Sequence, residues 1–253
     1  MSAFIGIGLG LLPGLIWLAF YLQEDPYRES RRLIFYIALW GAISALLAYF
    51  AEIQVNPLLA QVGIPPFDPP NSIPSMPLLI APLIILAYIE ELFKFGAAYF
   101  AVHKNPEFRQ PIEAMVYTIV AALGFATVEN IGAISGAFQA APSTLAALSD
   151  VFQITSFRFI GATLLHTLTS GIVGYYWGLT IYSRGKQRFV VGGLIIATFI
   201  HAIFNYLIIT FGNVIQPILF LLVIGFFVLG DFEKLKEDIM PEGASSAENE
   251  SLI

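Results

Sequence analysis

Residues 77–102 read PLLIAPLIILAYIEELFKFGAAYFAV, from Pro77 to Val102. This stretch is apolar over more than the ~20 residues that a helix needs to cross a hydrocarbon core. It is interrupted only by Glu90, Glu91 and Lys94. Similar apolar stretches occur at about 3–22, 33–53, 112–138, 151–183, 190–211 and 214–230. They are too long and too uniformly apolar for barrel strands, which would alternate over about 10 residues. Helices satisfy their own backbone groups in lipid, so the expected fold is all-α, a polytopic membrane bundle of about seven transmembrane helices.

Composition agrees. Of 253 residues, 57% are hydrophobic and 12% charged, against about 25% charged in a soluble domain. A soluble globular enzyme is excluded. A net charge of −6 with no basic stripe excludes nucleic acid as a partner. The absence of cysteine removes disulfides, thiolate zinc sites and a cysteine nucleophile.

The loops carry an orientation. Arg28, Arg31, Arg32, Lys104, Arg109, Arg184, Lys186, Arg188, Lys234 and Lys236 fall in alternate loops, and residues 54–76, 139–150 and 211–213 hold no Lys or Arg. The positive-inside rule then puts the N-terminus outside and the C-terminus in the cytoplasm. With no basic segment before it, the first span reads as retained rather than as a signal peptide. The transmembrane unit is expected over residues 1–231, with its motif-bearing core at about 77–211. Residues 232–253 read as an acidic cytoplasmic tail, helical at first and then disordered.

Glu90, Glu91, Lys94, Glu129, Arg158, His166 and His201 lie inside the spans. A charge at the bilayer centre costs about 2.5–3.5 kcal/mol even on the mildest scale, so these groups must face one another or a cavity. Counting along each span brings all of them near one depth. Two His and several Glu suit an N/O-ligated metal such as zinc, metal-free acid–base hydrolysis, or the proton relay of a transporter. Each group also has a plainer reading. Glu90 and Lys94, at i and i+4, form a neutralising pair that leaves Glu91 without a partner on its helix. Arg158 snorkels to headgroups. Glu52, Asp68 and Asp150 are solvated at span ends or in loops. Trp17, Trp40 and Trp177 face lipid or the interface. The N-terminal glycines, together with Gly132, Gly136, Gly161, Gly171, Gly174 and Gly178, serve helix packing. A zincin helix, a rhomboid-type serine and a presenilin-type aspartate pair are absent.

Four patterns fall in order, one per span: Glu90-Glu91-x-x-Lys94, Phe125-x-x-x-Glu129-Asn130, Arg158-x7-His166 and His201-x-x-x-Asn205. Together they resemble the PrsW family of intramembrane proteases, itself similar to the CAAX-type prenyl-protein endopeptidases. The basic residue at Lys94 and the glutamate at Glu129 follow the PrsW pattern, not the prenyl-protein one. Glu113 stands where many relatives carry Asp. The resemblance implies an intramembrane endopeptidase in the plasma membrane that cleaves a membrane-anchored protein substrate at the lipid bilayer. An anti-sigma factor is the founding substrate.

Under that reading Glu90 or Glu91 is the general base. His166 and His201 ligate zinc with Glu129 as third ligand, or polarise the water without a metal. Asn205 stabilises the oxyanion, Lys94 ties down one carboxylate, and Arg158 orients Glu129 or the substrate. Asn130 belongs to the same motif. A transporter or proton pathway built on the same cluster is the alternative function. Oligomeric state, substrate and cleavage position are not encoded in any motif.

Overall fold

The computed structural model describes residues 2–24, 30–63, 76–140, 144–182 and 188–237. They form eight helices: α1 (Ser2–Glu24), α2 (Arg31–Gln61), α3 (Met76–Val102), α4 (Pro111–Ala140), α5 (Thr144–Ile160), α6 (Ala162–Tyr182), α7 (Arg188–Phe211) and α8 (Ile215–Glu237). Among the described residues there is no strand. Five helices, α1, α2, α4, α7 and α8, are long and apolar enough to cross a membrane. With 27 and 21 residues, α3 and α6 match them in length. The protein is a helical membrane bundle.

Local chemistry sets the helix ends. Ser30, in an extended conformation, caps α2 by accepting the Leu33 N–H at 3.4 Å. Pro111 opens α4, where its missing N–H costs nothing. Glu113 in the same first turn accepts the backbone N–H groups of Arg109 and Gln110. Gly212, at φ +59°, ends α7 in the left-handed region, and the Asn213 side chain accepts the Ile215 N–H at 3.0 Å to start α8.

The hub is α4. Every residue from Pro111 to Ala126 is buried, and α1, α2, α3, α5, α6 and α8 all pack on it. Small residues permit this. A Cβ on Gly41 of α2 would collide with the Ala121 carbonyl oxygen, and one on Gly124 of α4 with that of Ala38, so the two backbones touch reciprocally. On α6, a Cβ at Gly174 or Gly178 would lie 2.5 Å from Met115 Cα or 2.6 Å from the Pro111 oxygen. Without a hydrophobic drive in lipid, such close packing holds the helices together.

Several expectations change here. The fifth apolar stretch is two helices, interrupted at Gly161 and starting earlier, at Thr144. The second continues through Pro57 to Gln61, and most of the expected 54–76 loop lies outside the described residues. The last helix runs past residue 231 to Glu237, the helical start expected of the tail. Beyond it the tail, and with it the expected disorder, lies outside the described residues. Trp177 is not an interfacial anchor: it is 5% exposed and packs against Phe95, Tyr99 and Phe108. Nothing lies within 4 Å of where a Cβ would stand on Gly8, Gly132 or Gly136, so these three glycines do not serve close packing.

Candidate active site

The four motifs converge at the junction of α3, α4, α5, α6 and α7. Glu91 of α3 is buried within it. Its Oε1 accepts from Lys94 Nζ at 2.6 Å, from Thr169 Oγ1 at 3.0 Å and from His201 Nδ1 at 2.7 Å. Lys94 is 0% exposed, and an ammonium buried so deeply is tolerated only beside a partner charge. That partner is Glu91, one position nearer along the helix than Glu90. The pairing read from the sequence is therefore reversed, and Glu90 is the acid left over. Lys94 also lies 5.3 Å from the centre of the Phe125 ring, a cation–π contact.

Lys94 bridges α3 to α6. Its Nζ is 2.9 Å from His166 Nδ1. An ammonium only donates, so Nδ1 accepts, and the imidazole proton sits on Nε2. That proton is given to Glu129 Oε2 of α4 at 2.9 Å. The same oxygen accepts from Arg158 of α5 at 3.0 Å. Arg158 Nε donates to Asn130 Oδ1, and Asn130 Nδ2 donates to Thr163 Oγ1 at 3.1 Å. Arg158 thus ties α5 to α4 rather than reaching for headgroups.

Glu90 stands apart. Its Oε2 is buried and makes no hydrogen bond, yet it lies 3.7 Å from His201 Nε2 and 3.9 Å from His166 Nδ1. One ligand atom each from Glu90, His166 and His201 lies within 4.8 Å of the others. Each histidine gives its remaining ring nitrogen to a carboxylate, His201 to Glu91 and His166 to Glu129. That is how metal-ligating histidines are oriented. The donor set, two imidazoles and a carboxylate, is one that zinc accepts. These residues therefore fit a metal. Glu90, rather than the Glu129 expected from the sequence, is the acid grouped with the two imidazoles, and Glu129 accepts from His166 Nε2. Lys94 donates to His166 Nδ1, whose single lone pair a metal would take, so a metal at this position requires Lys94 to turn away.

Two features escaped the sequence. Glu52, expected to be solvated at a span end, sits inside α2, partly buried. It lies one turn beyond Ala48, which packs with Phe125, Ile89 and Val128, and it interacts electrostatically with Glu129 and Glu90. The signal that could have found it is the four-residue step from Ala48 along one helix face. Thr169 and Thr163, which satisfy Glu91 and Asn130, carried no signal, because hydroxyls inside a span are common packing groups. Asn205, one turn beyond His201, is partly buried and makes no hydrogen bond among the described residues.

Comparison with known proteins gives the family. The family described as PrsW family intramembrane metalloprotease matches residues 29–230. The chain is 26% identical over 203 residues to Protease PrsW of Geobacillus kaustophilus, covering 80% of this chain and 79% of that protein. It is 22% identical to Protease PrsW of Oceanobacillus iheyensis, covering 85% and 90%. It is 21% identical to Protease PrsW of Bacillus subtilis, covering 91% and 95%. No solved structure matches. A buried Glu/His cluster inside a helical membrane bundle, matched by one family over most of the chain, makes this protein a membrane protease of the PrsW family of intramembrane metalloproteases.

Proposed function

We propose that the protein hydrolyses a peptide bond of a membrane-anchored protein inside the plasma membrane, with its N-terminus outside and its C-terminus in the cytoplasm. The observation that carries this reading is the bare, buried Glu90 Oε2 facing two histidine nitrogens. A buried oxygen without a partner costs ~1–3 kcal/mol. A site built to meet a ligand or a reacting group repays that cost.

Glu90, His166 and His201 would hold a zinc ion. Zinc there supplies Lewis acidity and a bound water of pKa near 7. Glu91 is unsuited to be the base, because its side chain is wholly buried and its Oε1 already takes three donors. Glu129 suits that role better, since 31% of its side chain is open. Its link to Arg158 and His166 fixes its orientation and lets a proton pass toward the leaving amine. The free Asn205 amide is the donor available to a developing oxyanion. Lys94, Glu91 and Thr169 hold His201 in the tautomer that keeps Nε2 open. Asn130 holds Arg158 against Glu129. The family resemblance implies an anti-sigma factor or similar membrane-anchored regulator as substrate.

The test compares cells that carry wild type, Glu90→Gln or His201→Ala by mass spectrometry of new termini in single-span membrane proteins. Zinc content of the three purified proteins is measured in parallel. We expect cleaved products and near-stoichiometric zinc in wild type only, with all three proteins inserted and folded. Undiminished cleavage in both variants overturns the site. Pumping of protons into wild-type liposomes with no cleaved product in cells would establish the transporter reading instead.

A further inference from the structure

A groove of about 870 Å³ lies between α1 and α2, floored by α4. It is not part of the catalytic cluster. Its floor includes Gly124 and Thr127, while Glu129, two residues on, points about 200° away around the helix. The walls are matched. On α1 they run from Leu11 to Leu22, and on α2 from Arg31 to Ala42. Eleven residues of helix rise ~16 Å, about half of a ~30 Å hydrocarbon core. The groove is one leaflet deep.

Its polarity is confined to the ends. Thr127 donates its hydroxyl to the Leu123 carbonyl at 2.8 Å, so it offers no donor to an occupant. At the other end Arg31 lines the groove and is exposed. It makes no ion pair or hydrogen bond among the described residues. It is also the first residue of α2, where the helix dipole favours an anion.

We propose that this groove is a binding site for a phospholipid with an anionic headgroup. The acyl chains lie along α4 and the phosphate sits on Arg31 at the N-terminus of α2. A transmembrane helix fits the observations less well. It needs a path through both leaflets, and the groove spans one. A largely apolar wall with a cation at its mouth that is unpaired among the described residues is complementary to a single lipid, and one basic group near a membrane surface attracts anionic lipid.

The full-length protein is purified in detergent and its thermal unfolding followed with added dioleoyl phosphatidylglycerol, dioleoyl phosphatidylcholine, or soluble glycerol phosphate. Bound lipid is identified by native mass spectrometry. Three chains are compared: wild type, Arg31→Gln, and Ala42→Phe, which fills the groove without touching the cation. In wild type, phosphatidylglycerol raises Tm by about 5 °C at saturating lipid and is seen as a one-to-one adduct. Phosphatidylcholine and glycerol phosphate give little or no shift. In Arg31→Gln the preference for the anionic lipid is lost, and in Ala42→Phe the adduct itself is lost. Equal shifts with both lipids, or an intact preference in Arg31→Gln, overturn the proposal. So does a shift with glycerol phosphate alone, which would mean a surface phosphate site. A photo-crosslinker at Leu39 that captures another protein's transmembrane segment in place of lipid would also overturn it.

Discussion

Glu90 and Glu91 are neighbours in the chain and opposites in the structure. Glu91 is held through one oxygen: Oε1 takes an ammonium, a hydroxyl and an imidazole from three helices, while its Oε2 is buried without a partner among the described residues. Around Glu90, Glu129 and Glu52 the carboxylates outnumber their donors, and Glu90 Oε2 has none. The first region is a strut. The second is the region that, under the proposed function, would receive a metal, water and substrate. Intramembrane charge thus does two jobs side by side, and the number of donors around each carboxylate tells them apart.

The contrast breaks most visibly at Glu90. Glu90→Gln should lower proteolysis by at least ~10³-fold and abolish zinc binding. Its Tm should stay within about 2 °C of wild type, because no internal hydrogen bond is lost. A stability loss as large as that of a Glu91 variant would erase the distinction. Glu91→Leu leaves the Lys94 ammonium buried and unpaired. That costs ~3–5 kcal/mol and should lower Tm by roughly 10 °C. Pairing it with Lys94→Met should restore Tm but not activity, since His201 Nδ1 still lacks its acceptor. Activity recovered together with Tm would show that Glu91 only balances charge. The smallest effect is expected at Glu52→Gln, a few-fold change in cleavage rate with stability unchanged. This variant reduces repulsion with Glu129 and Glu90 and removes no bond. A loss as complete as at Glu90 would move Glu52 into the reacting set and redraw the boundary between the two regions.

Much of the site is legible in the amino-acid order. A charge inside a span is costly enough to be informative, and four motifs on consecutive spans single out Glu90, Glu91, Lys94, Glu129, Asn130, Arg158, His166, His201 and Asn205 together. The fold class follows from apolar length alone. Several things are illegible for physical reasons. Glu52 reads as solvated because it lies at the edge of the apolar stretch, just before Pro57, while α2 in fact continues to Gln61. The break at Gly161 leaves no trace in hydropathy, since both flanks are apolar. Trp177 reads as an anchor because an aromatic residue near a span end looks the same whether it meets headgroups or the Phe95–Tyr99–Phe108 cluster.

The amino-acid order is sufficient for the helical membrane class, the inventory of intramembrane ionisable groups and the family resemblance. All of these rest on local composition and on the cost of placing charge in hydrocarbon. Which acid takes three donors and which takes none is decided by the assembled bundle. The partners of the strut come from residues 72, 78 and 110 positions away, and helical spacing cannot choose between i+3 and i+4 until those partners arrive.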